Sequence, residues 1–154
     1  MYLRPMTIHW YHKPFSSLST SELYALFQLR IDVFVVEQNC PYQDADGKDV
    51  KSAHVFALDE TGKAMACSRI VSPGVSYDEV SIGRVATALQ VRGTGVGREL
   101  MDKSIAAIEE KYGQVPIRIS AQSYLKKFYE SFGFSQVSEE YMEDDIPHIE
   151  MLRS

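Results

Sequence analysis

The stretch that decides the fold is Val80-Ser-Ile-Gly-Arg84-Val-Ala-Thr87-Ala-Leu-Gln-Val-Arg92-Gly93-Thr-Gly95-Val-Gly97-Arg98. It begins as an apolar run and continues with three glycines at alternate positions. Apolar residues at the helical period then follow, and a glycine ends the pattern. They are Leu100, Met101, Ile105 and Ile108, with Gly113 as the stop. We therefore predict a strand, a glycine loop and a helix in this order.

The glycine loop has the chemistry of a phosphate-binding site. Glycine lets a ligand approach the main chain closely, and the N–H groups at a helix start, together with the helix dipole, favour an anion. A Walker loop requires Lys and then Ser or Thr after its last glycine, but Arg98-Glu99 follow here. A dinucleotide fingerprint requires G-x-G-x-x-G and a later acidic residue. The spacing here is G-x-G-x-G, and the strand-like run at 115–120 ends without an acid.

A third phosphate-binding pattern fits better. It reads Arg or Gln-x-x-Gly-x-Gly or Ala directly after a strand, and Arg92, Gly95 and Gly97 meet it. This pattern resembles the acetyl-CoA pyrophosphate loop of the GNAT superfamily of N-acetyltransferases, and the resemblance implies that the main-chain N–H groups from Arg92 to Arg98 receive the diphosphate. On this loop alone, a strand-to-helix turn that binds nothing is the alternative.

Composition restricts the class of protein. A length of 154 residues predicts one domain, 1–154, and a net charge of −5 gives no basic field for nucleic acid. No apolar run approaches the ~20 residues of a membrane span, and the start of the chain lacks a secretory signal. Cys40 and Cys67 form no CxxC motif, so we expect a cytoplasmic protein with reduced thiols.

The rest of the chain alternates strand and helix patterns. Ser19-Thr-Ser-Glu22 has the form of a capping box and begins a helix that is predicted to reach about Glu37. The segment 38–51 is polar and contains Asp44, Asp46 and Asp49. It lacks the spacing of a calcium loop, so we predict a solvated acidic loop and no metal.

The predicted order of elements is β-α-β-β-β-α-β-α-β-β. The strands are expected at 7–11, 53–58, 63–72, 79–88, 115–121, 134–141 and 146–152, with a short helix at 124–132. Asp59-Glu-Thr-Gly62 is predicted to be a hairpin turn. The strands on either side of the long helix need a crossover and are predicted to be parallel neighbours. This order predicts an α/β fold with a mixed sheet and helices on both faces.

Two further stretches carry a resemblance to a known family. Phe128-Tyr129-Glu-Ser-Phe-Gly133-Phe134 is similar to the helix–turn–strand signature of the GNAT superfamily of N-acetyltransferases, and Arg84-Val-Ala-Thr87 resembles that family's fourth strand. With the glycine loop, three motifs stand in the family's order, and the likeness covers most of the chain. Phe34-Val-Val-Glu37-Gln-Asn-Cys-Pro41-Tyr-Gln-Asp44 and Ile146-Pro-His148-Ile-x-Met151 resemble the bacterial ElaA-like branch, which in general has no firmly assigned acceptor.

The resemblance implies a fold and an activity. The fold is a GNAT-like mixed, mostly antiparallel central sheet with helices on both faces, in a single acetyl-CoA-binding domain, 1–154. The activity is direct transfer of an acetyl group from acetyl-CoA to a primary amine, either a small molecule or a protein amine. No nucleic acid and no membrane are expected, and a homodimer is common in the family. A non-catalytic CoA-binding module and a dinucleotide-binding domain are the alternatives.

The resemblance also assigns candidate site residues. Those expected at the cofactor are Val85, Ala86, Thr87, Arg92, Gly93, Thr94, Gly95, Val96, Gly97, Arg98 and Gln122, the last at a position that is often Asn in the family. Tyr129 falls at the family's general-acid position, and a phenol is a reasonable proton donor to a thiolate; a core or pocket aromatic without a catalytic role is the alternative. Glu37 and His148 are equal candidates for the base, and a water chain with no single base is the alternative.

Overall fold

The computed structural model describes residues 6–154, and within them the chain forms eight strands and three α-helices. The strands are β1 (Ile8–Pro14), β2 (Ser52–Asp59), β3 (Ala64–Val71), β4 (Val80–Thr87), β5 (Ile117–Gln122), β6 (Phe134–Gln136), β7 (Tyr141–Glu143) and β8 (Ile146–Arg153). The helices are α1 (Thr20–Arg30), α2 (Val96–Tyr112) and α3 (Lys126–Glu130). A π-helical turn, Ile31–Glu37, continues α1.

One sheet contains all the strands, in the order β1-β2-β3-β4-β5-β8-β6, and β7 also pairs with β8. Every neighbouring pair is antiparallel except β4 and β5, which are parallel as predicted. That pair has only two registered positions, Val80 with Ile117 and Ser81 with Arg118. Because β4 and β5 both continue beyond these positions without pairing, a gap opens between their carboxyl ends.

Helices cover both faces of the sheet. Every residue of β3 is buried, which requires packing on each side. Ser68 is hydrogen-bonded through Oγ to Ser104 Oγ of α2, at 2.6 Å. The next residue, Arg69, points to the opposite face, where it shares Asp49 with Arg30 of α1. The predicted mixed, mostly antiparallel sheet with helices on both faces is therefore confirmed.

Local signals set the ends of the helices. The Glu22 N–H donates to Ser19 Oγ at 3.0 Å and the Ser19 N–H donates to Glu22 Oε1 at 2.8 Å, so the predicted capping box is present. The helical backbone then reaches Glu37 as predicted, with its last turns widened to a π-helix. The second helix ends at Gly113, whose φ of 77° an L-residue with a side chain rarely adopts.

The predicted single strand 134–141 is wrong, because it is interrupted between β6 and β7. Phe134 is registered with Arg153 at one end of β8 and Tyr141 with His148 at the other. Between them, Ser138 Oγ accepts the Glu150 N–H at 2.8 Å. A side-chain oxygen thus takes the place of a main-chain acceptor, and regular pairing stops there.

The predicted solvated acidic loop at 38–51 is also wrong. Asp44 is 6% exposed and Asp49 is 4% exposed. Arg30 Nε donates to Asp44 Oδ2 at 2.8 Å, and Arg30 Nη1 donates to Asp49 Oδ1 at 2.7 Å. The carboxylates are buried because a buried guanidinium neutralises them and supplies their hydrogen bonds. Within residues 6–154, no three His, Cys, Asp or Glu side chains are grouped as a metal site would need.

None of the helices in the part of the chain that the structure describes has the length and apolarity needed to cross a bilayer.

Candidate active site

A β-bulge in β4 lies beside the gap between β4 and β5. Cys67 is registered with Ala86 and Arg69 with Gly83, so Ser68 of β3 faces two residues, Arg84 and Val85. Arg84 has a φ of 50°, in the left-handed region that non-glycine residues seldom enter. The bulge inserts one extra residue, so the main-chain groups of the last residues of β4 face the opposite side from the one that regular pairing would give. We call the side that each of these residues faces the phase of β4.

This phase decides which main-chain groups face the gap. The Ala88 N–H donates to the Met65 carbonyl at 2.8 Å, on the β3 side. Because main-chain groups alternate along a strand, those of Ala86 also face β3, and those of Val85 and Thr87 face the gap. Arg92 supports this assignment, since it donates Nε and Nη2 to the Thr87 carbonyl at 3.2 and 3.0 Å.

The glycine loop leaves a set of donors without acceptors at the start of α2. Gly93 and Gly95 have φ values of 78° and 90°. Gly95 is the N-cap residue and supplies no capping side chain. Among residues 6–154, the N–H groups of Val96, Gly97 and Arg98 have no hydrogen-bond acceptor. They lie at the positive end of a 17-residue helix, an arrangement suited to a diphosphate.

The loop lies against the end of β4 and against α3. A Cβ atom at Gly97 would lie 3.9 Å from Thr87 Cγ2 and 4.0 Å from Phe128 Cζ. Arg98 lies over the Phe132 ring at 4.7 Å and donates to Ser131 Oγ at 3.0 Å. The start of α2, the end of β4 and α3 therefore meet at one place.

Tyr129 is carried on α3 at this meeting point. Its side chain is held edge-on against the Phe128 ring at 5.2 Å and the Phe134 ring at 6.0 Å. The residue is 6% exposed, and its hydroxyl is bonded to no other group within residues 6–154. Burial raises the pKa of the Tyr129 phenol above its usual range, so the proton stays on oxygen at neutral pH.

Glu37 and Arg92 are brought together across 55 positions of the chain. Arg92 Nη2 donates to Glu37 Oε2 at 2.8 Å, and its Nη1 donates to the other carboxylate oxygen. The hydrogen bond from Arg92 lowers the pKa of Glu37, even though partial burial opposes the shift. Next to it, Gln38 Oε1 accepts from Gln122 Nε2 at 3.4 Å. The end of the first helical segment therefore spans the gap from the glycine loop to the end of β5.

His148 lies on β8, registered with Gln122 of β5. Its Nδ1 is 2.7 Å from the Ile146 carbonyl, which can only accept, so Nδ1 carries a proton. Its Nε2 is 3.3 Å from Glu143 Oε2. The imidazole is stacked on the Tyr141 ring at 6.1 Å, and the Tyr141 hydroxyl is bonded to Ser120. His148 is thus fixed at the β5 side of the gap, away from the glycine loop.

Comparison with known proteins identifies the family. A model described as an acetyltransferase (GNAT) domain matches residues 34–154, most of the chain. The chain belongs to the GNAT acetyltransferase family. Protein ElaA of Escherichia coli strain K12 is 44% identical over 148 residues, 95% of this chain and 96% of that protein. The predicted resemblance to GNAT proteins of the ElaA-like branch is confirmed.

Solved GNAT structures agree with the fold. A crystal structure of an acyl-CoA N-acyltransferase from Pseudomonas aeruginosa matches with a TM-score of 0.91 at 42% identity, covering 96% of this chain and 100% of that one. The crystal structure of Escherichia coli ElaA matches with a TM-score of 0.89 at 43% identity, over 96% and 100% of the two chains. Membership of the GNAT family indicates acyl transfer from an acyl-CoA donor.

Sequence reasoning missed one group of residues near this GNAT site. Arg84 at the bulge is paired with Asp44 and Asp46, and Asp46 is also paired with Arg69. A signal was present, because basic residues interrupt otherwise apolar segments at Arg30 and Arg69. Such residues are rarely buried unless they are paired, and the acidic loop 38–51 was available as a partner.

Proposed function

We propose that this protein transfers an acetyl group from acetyl-CoA directly to a primary amine, on a small molecule or a protein. The observation that carries the proposal is the set of free N–H groups at Val96, Gly97 and Arg98 beside the gap that Thr87 faces. If the N–H groups of Val96, Gly97 and Arg98 held the diphosphate, the pantetheine and the thioester would extend along β4. Acetyl-CoA would supply the activated acyl group.

In this proposal the end of β4 orients the thioester. The main-chain groups of Val85 and Thr87 face the gap, whereas the N–H of Ala86 is on the β3 side and stays in the strand ladder. Fixed N–H donors at the acyl carbonyl would stabilise the negative charge that develops on its oxygen. Gly93, Gly95 and the residues that follow them hold the diphosphate, and Gln122 borders the gap from β5.

Tyr129 supplies the proton for the leaving thiolate. The phenol is protonated because burial raises its pKa, and its hydroxyl has no competing acceptor among the described residues. It lies on α3, next to Phe128, which reaches the space beside Thr87 and Gly97. The phenol therefore still carries its proton when the thiolate develops beside it, which is what a general acid in this step requires.

The geometry favours His148 over Glu37 as the base. Arg92 holds both oxygens of the Glu37 carboxylate and lowers its pKa, which makes it a weaker acceptor of a proton. Glu37 then serves to position Arg92 against the Thr87 carbonyl. His148 has its Nδ1–H fixed by the Ile146 carbonyl, which leaves Nε2, 3.3 Å from Glu143 Oε2, as the ring nitrogen that can exchange a proton. We propose that Nε2 takes the proton from the amine.

We propose a cationic amine as acceptor and the cytoplasm as the location. Glu143, Asp144 and Asp145 lie at the turn beside His148, and the net charge is −5. These charges attract a cationic amine, so the acceptor KM is expected to rise with ionic strength. Cys40 and Cys67 are both free and buried, in keeping with a reducing compartment.

The experiment is a thiol-release assay with acetyl-CoA and a panel of primary amines, run beside calorimetry with CoA and NAD. We expect CoA to bind, NAD not to bind, and at least one amine to release thiol above background. CoA binding with no thiol release from any amine or peptide would indicate a non-catalytic CoA-binding module. No affinity for CoA at about 1 mM ligand would overturn the proposal.

A further inference from the structure

Arg84 is held in a conformation that needs support. Four of the described non-glycine residues have positive φ, and Arg84 is the one among them that lies within a β-strand. A left-handed non-glycine residue persists only where its surroundings determine it. The conformation of Arg84 therefore points to the contacts of its side chain.

Those contacts come from one short segment, Tyr42, Asp44 and Asp46, which we term the brace. Arg84 Nη2 donates to the Asp44 carbonyl at 3.0 Å and to Asp46 Oδ2 at 3.3 Å. Arg84 Nε is 2.9 Å from Asp44 Oδ1, an ion pair whose angle is too bent for a hydrogen bond. The guanidinium also lies over the Tyr42 ring at 5.3 Å. The brace therefore contacts the Arg84 guanidinium through Nη2, through Nε and through the face of its plane.

The brace is itself fixed to the core on its other side. Arg30 Nε donates to Asp44 Oδ2 at 2.8 Å, and the Tyr42 hydroxyl donates to Asp44 Oδ1 at 2.6 Å. Arg69 grips Asp46 with two hydrogen bonds, at 2.8 and 3.1 Å. Arg30 and Arg69 are only 2% and 4% exposed, so neither moves without opening the core. The bulge is thereby tied to α1 and β3.

We propose that the brace sets the phase of β4 and so aims the main-chain donors of Val85 and Thr87 at the acyl carbonyl. Asp44 and Asp46 are then positioning residues for acyl transfer, an inference that rests on the proposed function. The physical reason is that the main-chain groups of successive residues in a strand point alternately to its two edges. If the bulge relaxed to regular pairing, the register would slip by one residue and the groups of Thr87 would turn from the gap towards β3.

The test uses two variants on opposite sides of this contact. Arg84→Gly removes every contact with the brace and keeps a residue that accepts positive φ. Asp46→Asn keeps the shape of its partner and removes the charge. The readout is the carbonyl stretch of isotope-labelled acetyl-CoA bound to the protein, measured by infrared difference spectroscopy. This measurement needs no amine substrate and reports hydrogen bonding to the acetyl carbonyl directly.

With the unsubstituted protein, the bound carbonyl band is expected below the frequency of free acetyl-CoA. In both variants it is expected to move back towards the free value, with CoA affinity within about threefold because the diphosphate donors of α2 are untouched. Turnover with the best amine of the panel is expected to fall by about tenfold or more. The double variant is expected to be no worse than the poorer single variant, because both substitutions break the contact between Arg84 and Asp46.

Glu109→Gln is the matched control. It removes a carboxylate paired with Arg153 Nη1 at 3.5 Å, remote from the bulge, and is expected to leave band and turnover unchanged. If Arg84→Gly does not fold, Tyr42→Phe replaces it, since it deletes only the hydroxyl bonded to Asp44 and is expected to give a smaller shift of the same sign. If the folded variants gave the wild-type carbonyl frequency, or if the losses of turnover were additive in the double variant, the proposed role of the brace would be overturned while the proposed function would stand. No bound band with the unsubstituted protein would overturn the proposed function as well.

Discussion

Tyr129 carries the proposed chemistry most directly at the scale of single residues. The family signature placed it, but the signature could not show how its hydroxyl is surrounded. The structure adds that Phe128 and Phe134 hold the ring edge-on. It adds further that burial raises the pKa of the phenol. A group that is protonated at every physiological pH can donate a proton but cannot act as a base.

We predict that Tyr129→Phe lowers kcat by about a hundredfold, since general acid catalysis contributes factors of this order. The KM for acetyl-CoA is expected to change little, because the diphosphate donors lie on α2. Since the phenol pKa is raised, wild-type kcat is not expected to fall through loss of this proton at moderately alkaline pH. Thiol release over a pH series measures both effects, with circular dichroism as the check on folding. Full turnover with an unchanged pH profile would remove Tyr129 from the mechanism.

The same thiol-release assay separates the two candidates for the base. His148→Gln is expected to lower kcat by about a hundredfold, because it removes the group that is proposed to take the proton from the amine. Glu37→Gln is expected to keep kcat within a few-fold and to raise the KM for acetyl-CoA, because Arg92 loses the partner that holds it at Thr87. The opposite pattern would assign the base to Glu37.

The start of α2 is the element on which the proposed CoA binding depends. Gly95 and Gly97 differ in conformation, although the sequence pattern shows them as equivalent. Gly95 has a φ of 90° and precedes the helix, whereas Gly97 is inside it with an ordinary helical backbone. The first glycine is needed for backbone freedom, whereas a Cβ atom at the second would make only ordinary contacts with Thr87 and Phe128.

We predict different effects on stability for alanine at these two positions. Gly95→Ala is expected to lower the free energy of unfolding by about 1–2 kcal/mol, because alanine is strained at positive φ. Gly97→Ala is expected to leave it unchanged or to raise it by up to about 1 kcal/mol, since its Cβ makes only ordinary contacts. It is nevertheless expected to weaken CoA binding by about tenfold, because the methyl group narrows the space beside the free donors.

Chemical denaturation and calorimetry with CoA measure the two quantities separately. Equal CoA affinity of Gly97→Ala and the unsubstituted protein would show that this face of α2 does not receive the cofactor.

At the scale of elements, local signals predicted most of the fold. The strand, glycine loop and helix of 80–112 were recognised because hydrophobic period and glycine position are properties of neighbouring residues. The capping box at Ser19 was recognised from four neighbouring residues. The parallel pairing of β4 with β5 followed from the crossover that a strand–helix–strand order requires. The division of 134–141 into β6 and β7 was not, because it depends on a hydrogen bond between Ser138 and Glu150 from another strand.

The ion network that joins α1, β3, β4 and the 38–51 segment is a property of the whole molecule. Three arginines and three aspartates balance one another in it. Although burial opposes the shift, the hydrogen bond from Arg69 lowers the pKa of Asp46 to about 2. The pKa of Asp49 is also lowered, against its burial, by the hydrogen bond from Arg30. Global stability is therefore coupled to the ionisation of these carboxylates.

We predict that Asp46→Asn lowers the free energy of unfolding by about 1–2 kcal/mol at neutral pH. The folded pKa of Asp46 is below its unfolded value, so its stabilisation is complete above the unfolded pKa of about 4 and is lost as the pH falls towards 2. The difference between variant and wild type should therefore shrink over this interval. Urea denaturation at several pH values measures it, and a difference independent of pH would contradict the coupling.

The sequence by itself determined most of the elements, their order, the glycine loop and the family, because the patterns that reveal them lie among residues close together in the chain. Only the tertiary structure decided which carboxylates are buried, which way the end of β4 faces, and that Glu37 holds Arg92. Arg84 and Asp44 are 40 positions apart, and no local period couples residues at such a distance. The free energy of a buried charge depends on the partner that the fold brings to it, and that partner is known only once the sheet and helices are assembled.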